Sequence, residues 1–187
     1  MYRDTSFLDW PFFEDRHREL AVQLDAWAAI HLPVDHSDVD QACIDLVAML
    51  GRDGWLTHSS VDPDNAEHGG KLDVRSLCLI RETLARHDAL ADFAFAMQGL
   101  GTGAISLFGT AEQQQWLKRT RSGEALAAFA LTDPESGSDV ANLNMTATKN
   151  EQGYVLDGEK TWISNGGIAE RYVVFARTGE APGAKGL

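Results

Sequence analysis

The chain has 187 residues, 44% of them apolar and 24% charged, enough to bury about 70% of its unfolded surface and fold without disulfide or metal staples, which excludes wholesale disorder. Sixteen Lys and Arg against twenty-eight Asp and Glu leave a net charge of −12, a field that repels polyphosphate and argues against nucleic acid as a partner. Cys43 and Cys78 stand in helical runs without a Cys-x-x-Cys pattern and read as small core residues in a reducing compartment. The start, Met1-Tyr2-Arg3-Asp4 followed by Asp9, Glu14 and Asp15, has neither the apolar segment of a signal peptide nor the acid-poor composition of a transit peptide.

From Pro11 to Ser122 the apolar residues recur at helical spacing. Phe13, Leu20, Leu24, Trp27 and His31 line one face of a first helix, with Pro11 near its first turn and Pro33 just past its end. Ser37-x-x-Asp40 resembles a capping box for a second, which carries Val39, Cys43, Leu46, Val47 and Leu50 and breaks at Gly51 to Gly54. Residues 55–72 read as a polar loop around Asp62-Pro63 and Gly69-Gly70. Asp73 caps a third helix with Val74, Leu77, Cys78 and Leu84 turned inward. Ala89 to Phe108 is apolar nearly all round, but Asp92, Gln98 and its glycines make it the buried centre of a bundle and not a membrane span. Thr110-x-x-Gln113 caps a fifth helix, which ends with Lys118, Arg119 and Arg121 before Gly123.

After Gly123 the period becomes that of strands: Ala125 to Leu131, Leu143 to Lys149, Tyr154 to Leu156, a turn at Asp157-Gly158, Lys160 to Ser164, and Tyr172 to Arg177. The predicted fold class is α+β, an N-terminal all-α helical bundle followed by an antiparallel β-domain that stops before it looks complete. The domains are placed at residues 1–123 and 124–187.

Gly99-Leu100-Gly101-Thr102-Gly103-Ala104 matches a permissive dinucleotide fingerprint. That fingerprint needs a strand before its glycines, whereas these sit late in a helix, where small residues serve close packing. His17, His31, His36, His58, His68 and His87 include no pair at i, i+3 or i+4, so no metal site is expected. Lys118-Arg119-x-Arg121 suits the negative end of a helix dipole.

Leu131-Thr132-Asp133-Pro134-Glu135-Ser136-Gly137-Ser138-Asp139 carries more chemistry. A strand delivers the Thr132 hydroxyl, Pro134 forces the chain out of the sheet, and Gly137-Ser138 offers backbone N–H groups to an anion. Taken alone it is also what an ordinary surface turn looks like. Gly158-Glu159-Lys160-Thr161-Trp162-Ile163-Ser164-Asn165-Gly166 reads as a strand that exposes Trp162 and Ser164 on one face. A planar heteroaromatic ring needs such a flat apolar neighbour and a few polar contacts at its edge.

The order Phe108-Gly109-Thr110-x-x-Gln113, then Ala130-Leu131-Thr132-x-Pro134-x-x-Gly137-Ser138-Asp139, then Gly158-x-Lys160-x-Trp162-Ile163-Ser164-Asn165-Gly166 resembles the acyl-CoA dehydrogenase family. The resemblance runs from about residue 10 to the C-terminus. It implies a helical domain, a middle β-domain and a C-terminal helical domain, with FAD between the last two and assembly as a dimer or tetramer. Phe129, Leu131 and Thr132 would meet the isoalloxazine. Gly137 and Ser138 would lie near the pyrophosphate, Ser138 also near the acyl-CoA substrate. Trp162 and Ile163 would pack at the flavin, with the Ser164 hydroxyl near its N5. The reaction implied is α,β-dehydrogenation of an acyl-CoA to the trans-2-enoyl-CoA, with an electron-transfer flavoprotein taking the electrons. The catalytic base is unassigned and expected beyond residue 187, so residues 1–187 alone are expected to be inactive. An acyl-CoA oxidase or flavin monooxygenase on the same scaffold, and a truncated non-catalytic binding or assembly module, stand as alternatives. The implied location is a bacterial-type cytoplasm, with the mitochondrial matrix as alternative. Asp133 replaces the family's commoner Glu, Glu135-Ser136 replaces small residues, and Ser164 replaces the commoner Thr.

Overall fold

The computed structural model describes residues 4–65, 71–179, 181 and 183–187. Met1-Tyr2-Arg3, His68 and Gly69-Gly70, which entered the sequence readings, lie outside the described residues. Helices α1 (Asp15–His31), α2 (Val39–Arg52), α3 (Val74–His87), α4 (Ala89–Phe108), α5 (Ala111–Gln115) and α6 (Leu117–Arg121) precede strands β1 (Ala127–Ala130), β2 (Thr146–Asn150), β3 (Gly153–Asp157) and β4 (Arg171–Val174). Leu24, Leu46, Leu50, Ile80, Leu84 and Phe95 are the centre of the core, and burial of each such side chain contributes about 1.5–3 kcal/mol.

One carboxylate ties the starts of α1 and α3 together. Asp73 accepts the Arg75 N–H at 3.2 Å, the predicted cap, and lies 2.9 Å from Nε2 of the fully buried His17. The His17 Nδ1 accepts the Glu14 N–H at 2.9 Å. Burial pushes the Asp73 carboxyl up, but bonds from His17, Ser76 and Arg16 outweigh that and hold it well below the usual carboxylate range. Helix α2 is capped by Asp38, which accepts the Gln41 N–H at 3.0 Å. The predicted cap Ser37 is turned away, its hydroxyl donating to Asp35 at 3.0 Å. Helix α3 is also rotated from its predicted face. Ser76, Leu79, Ile80, Thr83 and Leu84 point inward, while Val74 and Cys78 are exposed. Leu79, Ile80 and Leu84 offer more apolar volume to the core than Val74 and Cys78 and so set the phase. Only Cys43 of the two cysteines is buried.

Helix α4 follows α3 after the single residue Asp88, whose buried carboxylate accepts the Leu90 N–H at 2.8 Å and the Val34 N–H at 3.0 Å. It packs on α2, α3, α6 and β1, the central place predicted, yet Leu100, Leu107 and Phe108 near its C-terminal end are exposed. Two residues join it to the β-region. The fully buried Gln98 donates through Nε2 to the Ala125 carbonyl at 2.8 Å and accepts the Ala127 N–H at 2.8 Å through Oε1. Its amide thereby plays the part of a neighbouring strand. At Gly101 an added Cβ would lie 2.6 Å from the Ala127 Cβ, so glycine is what lets helix and strand touch. The Thr110–Gln113 capping box is present, with reciprocal bonds of 2.8 and 3.2 Å. The predicted fifth helix nevertheless divides at Trp116, whose N–H turns to Gln113.

The α+β class stands, with corrections among the strands. β1 pairs parallel with β4, Ala127 opposite Arg171 and Ala130 opposite Val174, while β2 and β3 form an antiparallel hairpin. The hairpin turn therefore falls at Glu151-Gln152 and not at Asp157-Gly158. Lys160 to Ser164 is not a strand. Among the described residues no helix is long and apolar enough to cross a membrane.

Candidate functional site

The first motif leaves β1 at Ala130. Leu131 and Thr132 are half-buried, and the chain then closes on itself as the Asp133 N–H bonds to the Ser136 carbonyl at 3.1 Å and the Ser136 N–H returns to Asp133 at 3.2 Å. Pro134-Glu135 forms the tip of that turn, with Glu135 exposed. Gly137 and Ser138 follow, both exposed. Neither their N–H groups nor the Ser138 hydroxyl has a protein partner among the described residues. That leaves the donors predicted for an anion available to one.

The second motif lies against the first. The Thr161 N–H donates to the Thr132 carbonyl at 2.9 Å, and Lys160 Nζ reaches the Leu131 carbonyl at 2.8 Å and Asp133 Oδ1 at 2.5 Å. Asn165 Nδ2 donates to the Ala127 carbonyl at 3.2 Å, anchoring the far end of the segment to β1. Between these anchors Trp162 has φ 57° and is 90% exposed. A left-handed conformation at a bulky residue costs about 1–3 kcal/mol and persists only where its surroundings over-determine it.

That backbone corrects the sequence reading. A strand would have put Trp162 and Ser164 on one face by simple alternation, but the left-handed turns at Trp162 and at Asn165, φ 61°, end any strand here. Ser164 opens a turn over 164–168, half-buried, and its hydroxyl has no protein partner among the described residues. Ile163 is half-buried, its carbonyl accepting the Gly166 N–H at 3.0 Å. Phe129 faces Phe175, ring centroids 5.1 Å apart. The structure thus brings Leu131 and Thr132 against the Lys160–Ser164 segment, while Phe129 is partly occupied by an aromatic neighbour.

Sequence reasoning missed the pair at the junction. The side chains of Lys160 and Asp133 are 8% and 2% exposed. Asp133 Oδ2 also accepts the Met145 N–H at 3.0 Å and the Asn144 N–H. Burial raises the Asp133 carboxyl, and the bonds from Lys160, Asn144 and Met145 together outweigh it, so the group stays ionised below its ordinary value. Asp133 stands between Thr132 and Pro134 in one motif and Lys160 between Glu159 and Thr161 in the other, so nothing local marked them as a buried pair.

The basic run at the end of α6 is committed to the protein: Arg121 to the Thr57 and Ser60 carbonyls, Lys118 to Asp64, Arg119 to Glu170. A cleft of about 850 Å³ lies between Ala104, Ile105 and Phe108 of α4, Trp116, and Arg171 and Tyr172 of β4, and none of the predicted cofactor residues lines it.

A family model described as acyl-CoA dehydrogenase, N-terminal domain, matches residues 14–124, and one described as acyl-CoA dehydrogenase, middle domain, matches residues 128–187. The mitochondrial very long-chain specific acyl-CoA dehydrogenase of Rattus norvegicus is 45% identical over 103 residues, 53% of this chain and 16% of that protein. A probable acyl-CoA dehydrogenase of Bacillus subtilis (strain 168) is 34% identical over 169 residues, 88% of this chain and 28% of that protein. The acyl-CoA dehydrogenase of Bacillus anthracis, solved in complex with FAD, superposes with a TM-score of 0.73 at 34% identity, over 88% of this chain and 29% of that one. The chain spans less than a third of the length of these relatives.

Proposed function

Since the chain belongs to the acyl-CoA dehydrogenase family, we propose that it supplies one wall of the FAD site in an enzyme that dehydrogenates an acyl-CoA thioester between its α and β carbons. The observation that carries this reading is the junction of the two motifs, where the Thr161–Thr132 bond joins segments bearing free hydroxyls and a bare indole. The donor set fits the group. Thr132 and Ser164 offer hydroxyls to a polar ring edge, Trp162 offers a flat face, and the N–H groups of Gly137 and Ser138 suit a pyrophosphate. When bound, FAD supplies the acceptor for the hydride that leaves the β carbon.

The chain's own part is binding and alignment. The Ser138 hydroxyl, exposed and without a protein partner among the described residues, is free to meet either the pyrophosphate or the CoA moiety. Asp133 adjoins Thr132 but is spent on Lys160 and two N–H groups, so it is no base for the α-proton. We assign that base to a carboxylate outside residues 1–187. Glu135 is exposed and pairs with no protein cation among the described residues. Re-oxidation by an electron-transfer flavoprotein and assembly as a dimer or tetramer belong to the same proposal.

The test is titration with FAD of the complete enzyme, in which the other wall of the site is present, following flavin fluorescence. Binding quenches the flavin, and Trp162→Phe removes most of the quenching because the indole is its neighbour. Flavin fluorescence that stays at its free value throughout the titration overturns the reading. An assay of acyl-CoA oxidation with an artificial acceptor is expected to show no turnover by residues 1–187, since loss of a positioned base costs about a hundred- to ten-thousandfold. Turnover would place the base within this chain.

A further inference from the structure

We propose that the buried Asp133–Lys160 ion pair is the positioning element of the ring site: it holds the Thr132 segment and the Trp162–Ser164 segment in a single register. The proposal rests on the FAD reading for what the register serves, and on the geometry for its existence. Three stretches of chain converge on the pair. Lys160 Nζ donates to Asp133 Oδ1 at 2.5 Å and to the Leu131 carbonyl at 2.8 Å. Asp133 Oδ2 accepts from Met145 at 3.0 Å and from Asn144, at the chain leading into β2. The Asp133 backbone closes the 133–136 turn through both its N–H and its carbonyl.

The pair is flanked on each side by a residue of the proposed ring site. Thr132 precedes Asp133, and Trp162 stands two residues after Lys160. Between them runs the Thr161–Thr132 backbone bond of 2.9 Å. Trp162 itself gains nothing from the core, being 90% exposed in a left-handed conformation. What over-determines that conformation is the chain on either side of it: Lys160 and Thr161 before, Asn165 on the Ala127 carbonyl after. Stability alone does not call for an ion pair here, because replacing a buried pair with apolar residues is often neutral or stabilising. A pair that ties the Leu131–Asp133 segment, the Lys160–Trp162 segment and the chain entering β2 together gives fixed geometry, and sub-ångström placement of binding groups is what orientation requires. Both ions are satisfied within the pair, so no net charge is directed at the ring.

The experiment uses protein labelled with 5-fluorotryptophan, its Trp162 resonance assigned with Trp162→Phe. Lys160→Met and Asp133→Asn are expected to shift or broaden the Trp162 fluorine signal while those of Trp27 and Trp55 stay in place. FAD affinity should fall about tenfold or more in each, since one charge is left buried without its partner. Lys160→Arg keeps the charge and should restore most of both readouts. The double variant Asp133→Asn/Lys160→Met should lose less affinity than the two single losses predict together. Asp133→Asn is nearly isosteric and keeps the helices, so it carries the test if Lys160→Met fails to fold. An unmoved Trp162 signal in a folded Asp133→Asn protein overturns the proposal. Unsubstituted protein that takes up no FAD refutes the cofactor reading instead, and the fluorine signal then decides the positioning of Trp162 by itself.

Discussion

Gln98 is where the helices take hold of the strands, and its replacement by leucine separates a polar tie from mere packing. The side chain is fully buried, as are Ala125 and Ala127, whose carbonyl and N–H it satisfies at 2.8 Å each. Gln98→Leu keeps similar volume but leaves one buried acceptor and one buried donor unpaired. At about 1–3 kcal/mol for each orphaned group, and with about 1 kcal/mol returned by greater apolar burial, the net loss is expected at about 1–5 kcal/mol. Against a typical domain stability of about 5–15 kcal/mol this is large. Urea unfolding followed by far-UV circular dichroism should show a lower midpoint with an unchanged slope. Hydrogen exchange at the Ala127 amide should accelerate in the same protein. Gln98→Glu makes the logic sharper: a carboxylate accepts from Ala127 but cannot donate to Ala125, so it should lose nearly as much at neutral pH. If Gln98→Leu unfolds within about 0.5 kcal/mol of the original, less than one orphaned group costs, the amide does not hold β1 and the reasoning fails.

Gly101→Val would set a Cβ 2.6 Å from the Ala127 Cβ and 2.9 Å from its carbonyl carbon; overpacking of about 1–3 kcal/mol should lower Tm by several degrees, and an unchanged Tm contradicts the close approach. Asp88→Ala removes the cap of α4 and the acceptor of the Val34 N–H; a loss of about 1–3 kcal/mol is expected, checked by chemical denaturation. Asp73, Asp88 and Asp133 are all held below the ordinary carboxylate value of 3.8. Folded groups with lowered pKa values contribute stability that is complete above that value and is lost as pH falls through the folded ones. Unfolding free energy measured from pH 5 to pH 2 should therefore fall steadily below about pH 4, and a rise over that interval would show that these carboxylates are not ionised partners in the fold.

What was legible in the sequence was local. Asp73 and Thr110 cap helices within three residues of themselves, and the bounds Ala89 and Phe108 follow from the largely apolar run between them. Ser37 misled because Asp35, two residues earlier, competes for its hydroxyl. The partner of β1 was not legible, since the alternation of Tyr172 to Arg177 states that a strand exists but not which edge it joins. The strand read through Trp162 failed because nothing in the residue type announces a left-handed φ at a tryptophan. The two motifs were recognisable as segments. Their junction was not, because Lys160 finds Asp133 across 27 positions of sequence and periodicity carries no information over that span.

The parallel pairing of β1 with β4 also orders events in time. About 40 residues separate Ala130 from Arg171, and closing them into a loop costs about 3 kcal/mol of chain entropy before the strands return any of it. Helices α3 and α4 meet across the single residue Asp88, and β2 meets β3 across Glu151-Gln152, so both form with far shorter closures. A newly made chain should therefore hold most of its helical scaffold while Thr132 and Thr161 are still apart. A ligand seated at their junction acts on the last step of folding and the first of unfolding. It should slow the opening of this one loop, seen as longer-lived amide protection at Thr161, and leave the rate at which the helices assemble unchanged.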